Sequence, residues 1–319
     1  MTITTDLPRP GLGFVFPGQG SQSIGMLREL SLAFPQVAET YAEASAALGY
    51  DLWRVVQDGP ETDLNRTECT QPAMLAAGVA VWRVWRAQGG PLPTVMAGHS
   101  LGEYTALVCA EALDFRAAVT LVANRGRYMQ EAVPEGEGAM AAILGLEDAE
   151  VITACASAAE SEVVTAVNFN APGQVVVAGN RAAVVRAVEA AKGLGAKRAV
   201  VLPVSVPSHC ALMVGAAQRL RVRLETVPLT LPRVPVINNV DVADPTEPAA
   251  IRDALVRQLH CPVRWVECVR TMVGRGILTL VEAGPGKVLA GLNKRIEKGL
   301  ETRPVFDPSG LRQALDLFA

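Results

Sequence analysis

The chain has 319 residues, of which 50% are hydrophobic, 19% are charged and 5% are aromatic. This composition excludes a disordered chain, and the length suits one large domain or two modest ones. With 29 lysines and arginines against 32 acidic residues, the net charge is −3, which argues against a nucleic-acid partner. Six cysteines are scattered without a CxxC pair, a pattern typical of reduced thiols. No cluster of histidine, cysteine and carboxylate residues has the spacing of a metal site.

The first ten residues contain charges and two prolines rather than the apolar segment of an export signal. The longest uncharged run, residues 199–218, contains two prolines and does not suit a helix that spans lipid. The sequence therefore predicts a soluble, cytoplasmic protein without a membrane partner.

Strand-like apolar runs alternate with helical segments in the first part of the chain. The predicted elements are strands at 12–16 and 93–97 and helices at about 26–87 and 101–131. Asp114 is expected to be the N-cap of a helix, and Pro72 is expected at a first helical position. This alternation is typical of an α/β fold with a mostly parallel sheet.

The pattern changes in the middle of the chain. Here the predicted elements are strand 139–146, helix 148–159, strands 163–169 and 175–178, helix 181–194 and strand 198–204. This βαββαβ order is that of a ferredoxin-like unit. The α/β pattern then resumes with helices 211–226, 249–259 and 287–298 and strands 234–238 and 277–281. We expect a large domain from 1–133 and 206–319, a small domain inserted at 134–205, and a ligand cleft between the two.

A GxSxG motif, Gly98 to Gly102, directly follows a predicted strand and opens a predicted helix. That context indicates a nucleophile elbow, with the Ser100 hydroxyl as the nucleophile. The alternative is a glycine-rich turn whose serine only caps the helix.

A serine nucleophile needs a base, and the chain has three histidines. His209 is the favoured base, because it returns from the inserted unit to the large domain. His99 adjoins the nucleophile and is expected to shape the pocket instead. His260 ends a predicted helix, where its charge interacts favourably with the helix dipole.

A second glycine-rich loop, residues 16–22, also follows a strand. It lacks the lysine and the spacing of a phosphate-binding P-loop. One of its amides, paired with the amide of Leu101, could form an oxyanion hole, and a plain tight turn is the alternative.

Five segments together resemble the malonyl-CoA:acyl carrier protein transacylase family of bacterial fatty-acid synthesis, in the same order and over nearly the whole chain. They are FVFPGQGSQ (14–22), GHSLGEY (98–104), VNFNAPGQ (167–174), VSVPSH (204–209) and EAGPGK (282–287). The resemblance implies an α/β-hydrolase-like body with a ferredoxin-like insert. It also implies transfer of malonyl from malonyl-CoA to acyl carrier protein, with no cofactor besides the groups that the substrates carry.

The resemblance implies that Ser100 accepts the acyl group and that His209 is its base. It implies that the amides of Gln19 and Leu101 form the oxyanion hole. A carbonyl of Gln258 is expected to orient the histidine in place of an aspartate.

The resemblance further implies that Arg125 binds the malonyl carboxylate, a role that a planar guanidinium suits, although most helix arginines are solvated. Gln71 and Asn170 match residues near the family's pocket. The chain departs from the family at 260–262, where His-Cys-Pro replaces the common Tyr-Asn-Pro and adds an imidazole near the backbone that supports the base.

Two other functions remain open from the sequence: a serine esterase or thioesterase that uses water as acceptor, and a non-catalytic module that docks carrier proteins. Because carrier proteins are acidic, basic residues near the cleft mouth are candidate docking residues. These candidates are Lys197, Arg198, Lys287 and Lys294.

Overall fold

The computed structural model describes residues 7–204 and 206–318. The strands are β1 (Pro8–Phe16), β2 (Leu92–Gly98), β3 (Gly138–Leu144), β4 (Val164–Ala171), β5 (Gln174–Asn180), β6 (Arg198–Val201), β7 (Val236–Ile237), β8 (Thr279–Ala283) and β9 (Glu301–Val305). The helices are α1 (Arg28–Ala33), α2 (Pro35–Leu48), α3 (Leu52–Asp58), α4 (Glu61–Leu64), α5 (Thr67–Ala87), α6 (Gly102–Cys109), α7 (Phe115–Ala132), α8 (Asp148–Ala159), α9 (Arg181–Gly193), α10 (Val214–Glu225), α11 (Pro248–Gln258), α12 (Trp265–Gly274), α13 (Val288–Ile296) and α14 (Pro308–Leu315).

The larger sheet is parallel, with the strand order β7-β2-β1-β8-β9. Its central strand, β1, is buried from Leu12 to Phe16, as expected for an apolar run covered on both faces. In the register of β1 and β2, Phe16 lies opposite Gly98. The loops that follow these two strands therefore leave the same edge of the sheet side by side.

The smaller sheet is antiparallel, with the order β4-β5-β3-β6, and α8 and α9 cover one face. Its segments follow one another as β3-α8-β4-β5-α9-β6, the ferredoxin-like sequence of elements. The predicted α/β fold, a mostly parallel sheet with a separate ferredoxin-like unit, is confirmed. The domain boundaries at 134 and 205 stay a prediction.

The prediction that Pro72 occupies a first helical position is wrong. Pro72 lies inside α5, which begins at Thr67. The first turn of α5 forms before the proline because it packs against α7 at Gly126. A Cβ atom on that glycine would lie 2.5 Å from the carbonyl oxygen of Thr67. Asp114 does cap α7, and its carboxylate accepts the N–H of Ala117.

All six cysteines lie in the described part of the chain and are free thiols, four of them buried. None of the helices between residues 7 and 318, with Ser205 left aside, combines the length and the apolar character that crossing a bilayer requires.

Candidate active site

The turn between β2 and α6 presents Ser100 in a strained backbone conformation. The serine has φ of +52°, in the left-handed region that favours glycine. The flanking glycines make this turn possible. A Cβ atom on Gly98 would lie 1.8 Å from the carbonyl carbon of Gly102, and one on Gly102 would lie 2.0 Å from the carbonyl oxygen of Phe16. This geometry is that of a nucleophile elbow, as the GxSxG motif predicted.

The Ser100 hydroxyl and His209 form a hydrogen bond of 2.8 Å between Oγ and Nε2. On the other side of the ring, Nδ1 lies 2.6 Å from the main-chain carbonyl oxygen of Gln258. Because a carbonyl oxygen only accepts, the ring proton is on Nδ1, and Nε2 has a free lone pair for the serine proton. Burial and the nearby Arg125 cation lower the pKa of His209 to about 3, so the ring is neutral at physiological pH.

The other two histidines do not contact the serine hydroxyl. His99 Nε2 lies 2.7 Å from Asn170 Oδ1, and its ring centroid lies 5.6 Å from that of Trp265. His260 follows α11, and its Nδ1 contacts the sulfur of Cys261 at 3.6 Å. Asn170 is therefore joined to the site through His99.

The segment from Leu259 to Val263 connects the base to the smaller sheet. The His209 N–H donates to the carbonyl of Leu259 at 2.9 Å. Four residues on, the Val263 N–H donates to the Val167 carbonyl of β4 at 2.8 Å, and its carbonyl accepts the N–H of Phe169 at 3.0 Å. The unusual residues at 260 and 261 thus lie between the base and β4.

Arg125 is buried, with 1% of its surface exposed, directly beside the nucleophile. Its Nη1 donates to Gln71 Oε1 at 2.9 Å, and its Nη2 donates to Gln258 Oε1 at 3.0 Å and to Ser100 Oγ at 3.3 Å. Burial lowers the pKa of the guanidinium. Within the described residues Arg125 forms no ion pair with a carboxylate, and its Nε–H has no acceptor. The site therefore holds a buried cation with unused donors.

The loop after β1 packs against the elbow. The His99 N–H donates to the carbonyl of Phe16 at 3.0 Å, and a Cβ atom on Gly18 would lie 2.5 Å from the carbonyl oxygen of His99. Gln19 is exposed in this loop, whereas Leu101 is buried at the start of α6. Neither main-chain N–H has an acceptor among residues 7–204 and 206–318. The two amides are thus available for an oxyanion, and that role stays a prediction.

Two residues that the sequence analysis did not single out, Asn239 and Glu103, form hydrogen bonds with the residues of the site. Asn239, just after β7, accepts the Ser100 N–H at 2.7 Å and donates to the carbonyl of Gly98 at 2.7 Å. Glu103 accepts the N–H of Asn239 at 2.9 Å and the side-chain amide of Gln258 at 2.8 Å. Glu103 lies in the first turn of α6, where acidic residues are common in any helix, so no local signal distinguishes it in the sequence.

The segment 282–287 of the motif set has a structural role. The buried carboxylate of Glu282 accepts the N–H groups of Leu289 and Ala290 at the start of α13, at 2.9 and 2.8 Å.

The candidate docking residues are all exposed, and their role stays a prediction: Lys197, Arg198, Lys287 and Lys294. In the described part of the chain, no group of three His, Cys, Asp or Glu residues could hold a metal ion.

A hydroxyl bonded to a neutral imidazole, two available amides and a buried guanidinium can together take up an acyl group with an anionic far end. These are the features of a serine enzyme that transfers or hydrolyses acyl groups.

Residues 13–305 match the family model of the acyl transferase domain. The chain is 59% identical over 304 residues to the malonyl CoA-acyl carrier protein transacylase of Escherichia coli (strain K12), covering 95% of this chain and 98% of that protein. It is also similar to the crystal structure of an acyl carrier protein S-malonyltransferase from Vibrio cholerae, with a TM-score of 0.93, 57% identity and 95% and 99% of the two chains covered. The chain belongs to the malonyl CoA-acyl carrier protein transacylase family, whose members are acyltransferases.

A further similar structure contains a carrier protein. It is a complex of a malonyl-transacylase with its type II PKS acyl carrier protein, with a TM-score of 0.95, 56% identity and coverage of 96% of this chain and 99% of that one.

Proposed function

We propose that the protein transfers malonyl from malonyl-CoA to the phosphopantetheine thiol of acyl carrier protein, through a malonyl ester on Ser100. The observation that carries this proposal is the position of Arg125. Its buried guanidinium has no carboxylate partner in the described chain and lies 3.3 Å from the serine hydroxyl. The names of two similar proteins support the same donor and acceptor.

In the first half-reaction, the Ser100 oxygen attacks the thioester carbonyl of malonyl-CoA while its proton moves to Nε2 of His209. The amides of Gln19 and Leu101 stabilise the tetrahedral oxyanion. The carbon–sulfur bond then breaks, and the proton on His209 passes to the coenzyme A sulfur. The carbonyl of Gln258 stabilises the imidazolium that exists between these two proton transfers.

In the second half-reaction, His209 removes the proton of the phosphopantetheine thiol, and the sulfur attacks the ester of Ser100. The same amides hold the second oxyanion, and the serine oxygen regains its proton from His209 when the ester bond breaks. Each step uses side chains or main-chain groups of the protein, so we infer that the reaction needs no bound cofactor.

Arg125 selects the acyl group. The malonyl carboxylate accepts two parallel bonds from the guanidinium, which Gln71 and Gln258 hold in place. Acetyl has no carboxylate and leaves those donors unpaired. We infer that Asn170, bonded to His99, borders the acyl pocket. We infer that the product supplies fatty-acid synthesis in the cytoplasm, without a membrane or nucleic-acid partner.

Mass spectrometry of the intact protein after incubation with malonyl-CoA tests this function. We expect one malonyl adduct that maps to Ser100, is absent from Ser100→Ala and disappears when holo carrier protein is added. Release of free malonate without carrier protein would identify a hydrolase instead. The lack of any adduct would indicate that the protein is a non-catalytic module that docks carrier proteins.

A further inference from the structure

The active site is supported by a single buried carboxylate oxygen. Oε2 of Glu103 accepts two hydrogen bonds, from the main-chain N–H of Asn239 at 2.9 Å and from Nε2 of Gln258 at 2.8 Å. The glutamate has 2% of its surface exposed. Both of its partners contact residues of the active site, since Asn239 accepts the N–H of Ser100 and Gln258 contacts Arg125.

The carboxylate is one of three groups that fix which way the Gln258 amide faces, together with the main-chain carbonyl of Ser100 and the Arg125 guanidinium. The side chain of Gln258 could place either its oxygen or its nitrogen toward Arg125. Because Nη2 of Arg125 only donates, Oε1 faces the guanidinium, at 3.0 Å from Nη2, and Nε2 faces the glutamate. Nε2 also donates to the main-chain carbonyl of Ser100 at 3.0 Å. The reverse orientation would direct the amide N–H groups at the arginine.

In its ionised form, Glu103 offsets part of the charge of Arg125 without occupying its donors. Its negative charge raises the pKa of the guanidinium, opposing the effect of burial. Burial in turn raises the pKa of Glu103 to about 7, although the two hydrogen bonds and the Arg125 charge lower it. A direct ion pair would oblige a substrate carboxylate to displace the glutamate. With Gln258 between them, the guanidinium remains open to the substrate.

We propose that Glu103 is a positioning residue for acyl-group selection: its carboxylate holds the Gln258 amide in place together with the Ser100 carbonyl, and the amide holds Arg125 in the geometry that binds a carboxylate on the acyl group. This inference rests on the proposed malonyl transfer. It assigns part of the preference for malonyl to a residue that does not touch the substrate.

Three variants separate the position of the acceptor oxygen from its charge. Glu103→Gln keeps an oxygen at the same place without the charge, Glu103→Asp keeps the charge but moves the oxygen back by one methylene, and Glu103→Ala removes both. The readout is the ratio of kcat/KM for malonyl-CoA to that for acetyl-CoA. We expect Asp and Ala to lower this ratio by about 10-fold or more, and Gln to keep it within about 3-fold of the parent protein.

Glu282→Ala is the matched control, because Glu282 is also a buried carboxylate with two N–H partners, but those partners, Leu289 and Ala290, are not residues of the active site. It should lower thermal stability and leave the ratio unchanged. If Glu103→Ala does not fold, the comparison of Asp with Gln decides. Equal losses for both acyl groups, or a ratio lost in Gln and kept in Asp, would overturn the positioning role. The absence of a malonyl adduct on the parent protein would instead refute the proposed function.

Discussion

Replacing Arg125 with alanine tests the origin of substrate selection. In the proposed complex the guanidinium forms two charge-assisted bonds with the malonyl carboxylate, each contributing about 1.5–3 kcal/mol. Their loss amounts to roughly 3–6 kcal/mol, or about 10²–10⁴-fold in kcat/KM for malonyl-CoA at 1.4 kcal/mol per factor of ten. For transfer of acetyl, the only contact with a reacting atom that is lost is the 3.3 Å contact between Nη2 and Ser100 Oγ, so the rate should fall by about 10-fold at most.

The assay is the rate of acyl transfer from malonyl-CoA and from acetyl-CoA to holo carrier protein, measured with the same enzyme preparations. Arg127→Ala is the matched control, because Arg127 is exposed on another side of α7 and bonds to Asn124. Arg125→Lys keeps the positive charge but cannot form the bidentate hydrogen bonds of a guanidinium. Its rate of malonyl transfer should therefore lie between those of the parent protein and the alanine variant. Equal losses for malonyl and acetyl in Arg125→Ala would refute the assignment.

Two other predictions concern the base and the elbow. Since the pKa of His209 lies at about 3, below its usual value near 6.5, the ring becomes protonated only as pH falls through the lower value. In Glu103→Gln, which removes the carboxyl group near the site that has a pKa of about 7, the acylation rate in rapid-quench measurements should therefore stay level from pH 8 to pH 5, and an acid limb with a midpoint near 6.5 would contradict the structure. Gly102→Ala should prevent the malonyl adduct in mass spectrometry, because its Cβ atom would lie 2.0 Å from the carbonyl oxygen of Phe16. A fully acylated Gly102→Ala variant would show that the elbow tolerates a side chain.

Elements with strong local signals could be predicted from the sequence. The helix at 148–159 was placed with the bounds that the structure gives. Helix α12 was missed, although its buried residues Trp265, Val269 and Met272 follow a helical period. Strand β9 was missed; it contains a proline, which its position at the edge of the sheet can accommodate. Helix α14 was also missed, despite the capping aspartate at 307.

The site was predictable where chemistry limits the choice and not where contacts alone decide. A serine in a strand-to-helix turn and one of three histidines could be selected from the residues themselves. Arg125 could not, because a buried arginine and a solvated one look alike in a helical sequence, and only the family resemblance selected it. Glu103 and Asn239 are hydrogen-bonded to each other although they lie 136 positions apart in the chain. Long-range contacts of this kind have no local pattern, so both residues were missed.

The link from Leu259 to Val263 has a consequence for how the enzyme can be divided. One end of this link holds the backbone of His209, and the other is paired with β4 of the smaller sheet. A large body expressed without the ferredoxin-like unit would keep its serine but lose an anchor of its imidazole. Catalysis therefore depends on both sheets, and we expect neither the large body nor the ferredoxin-like unit to be active when expressed alone.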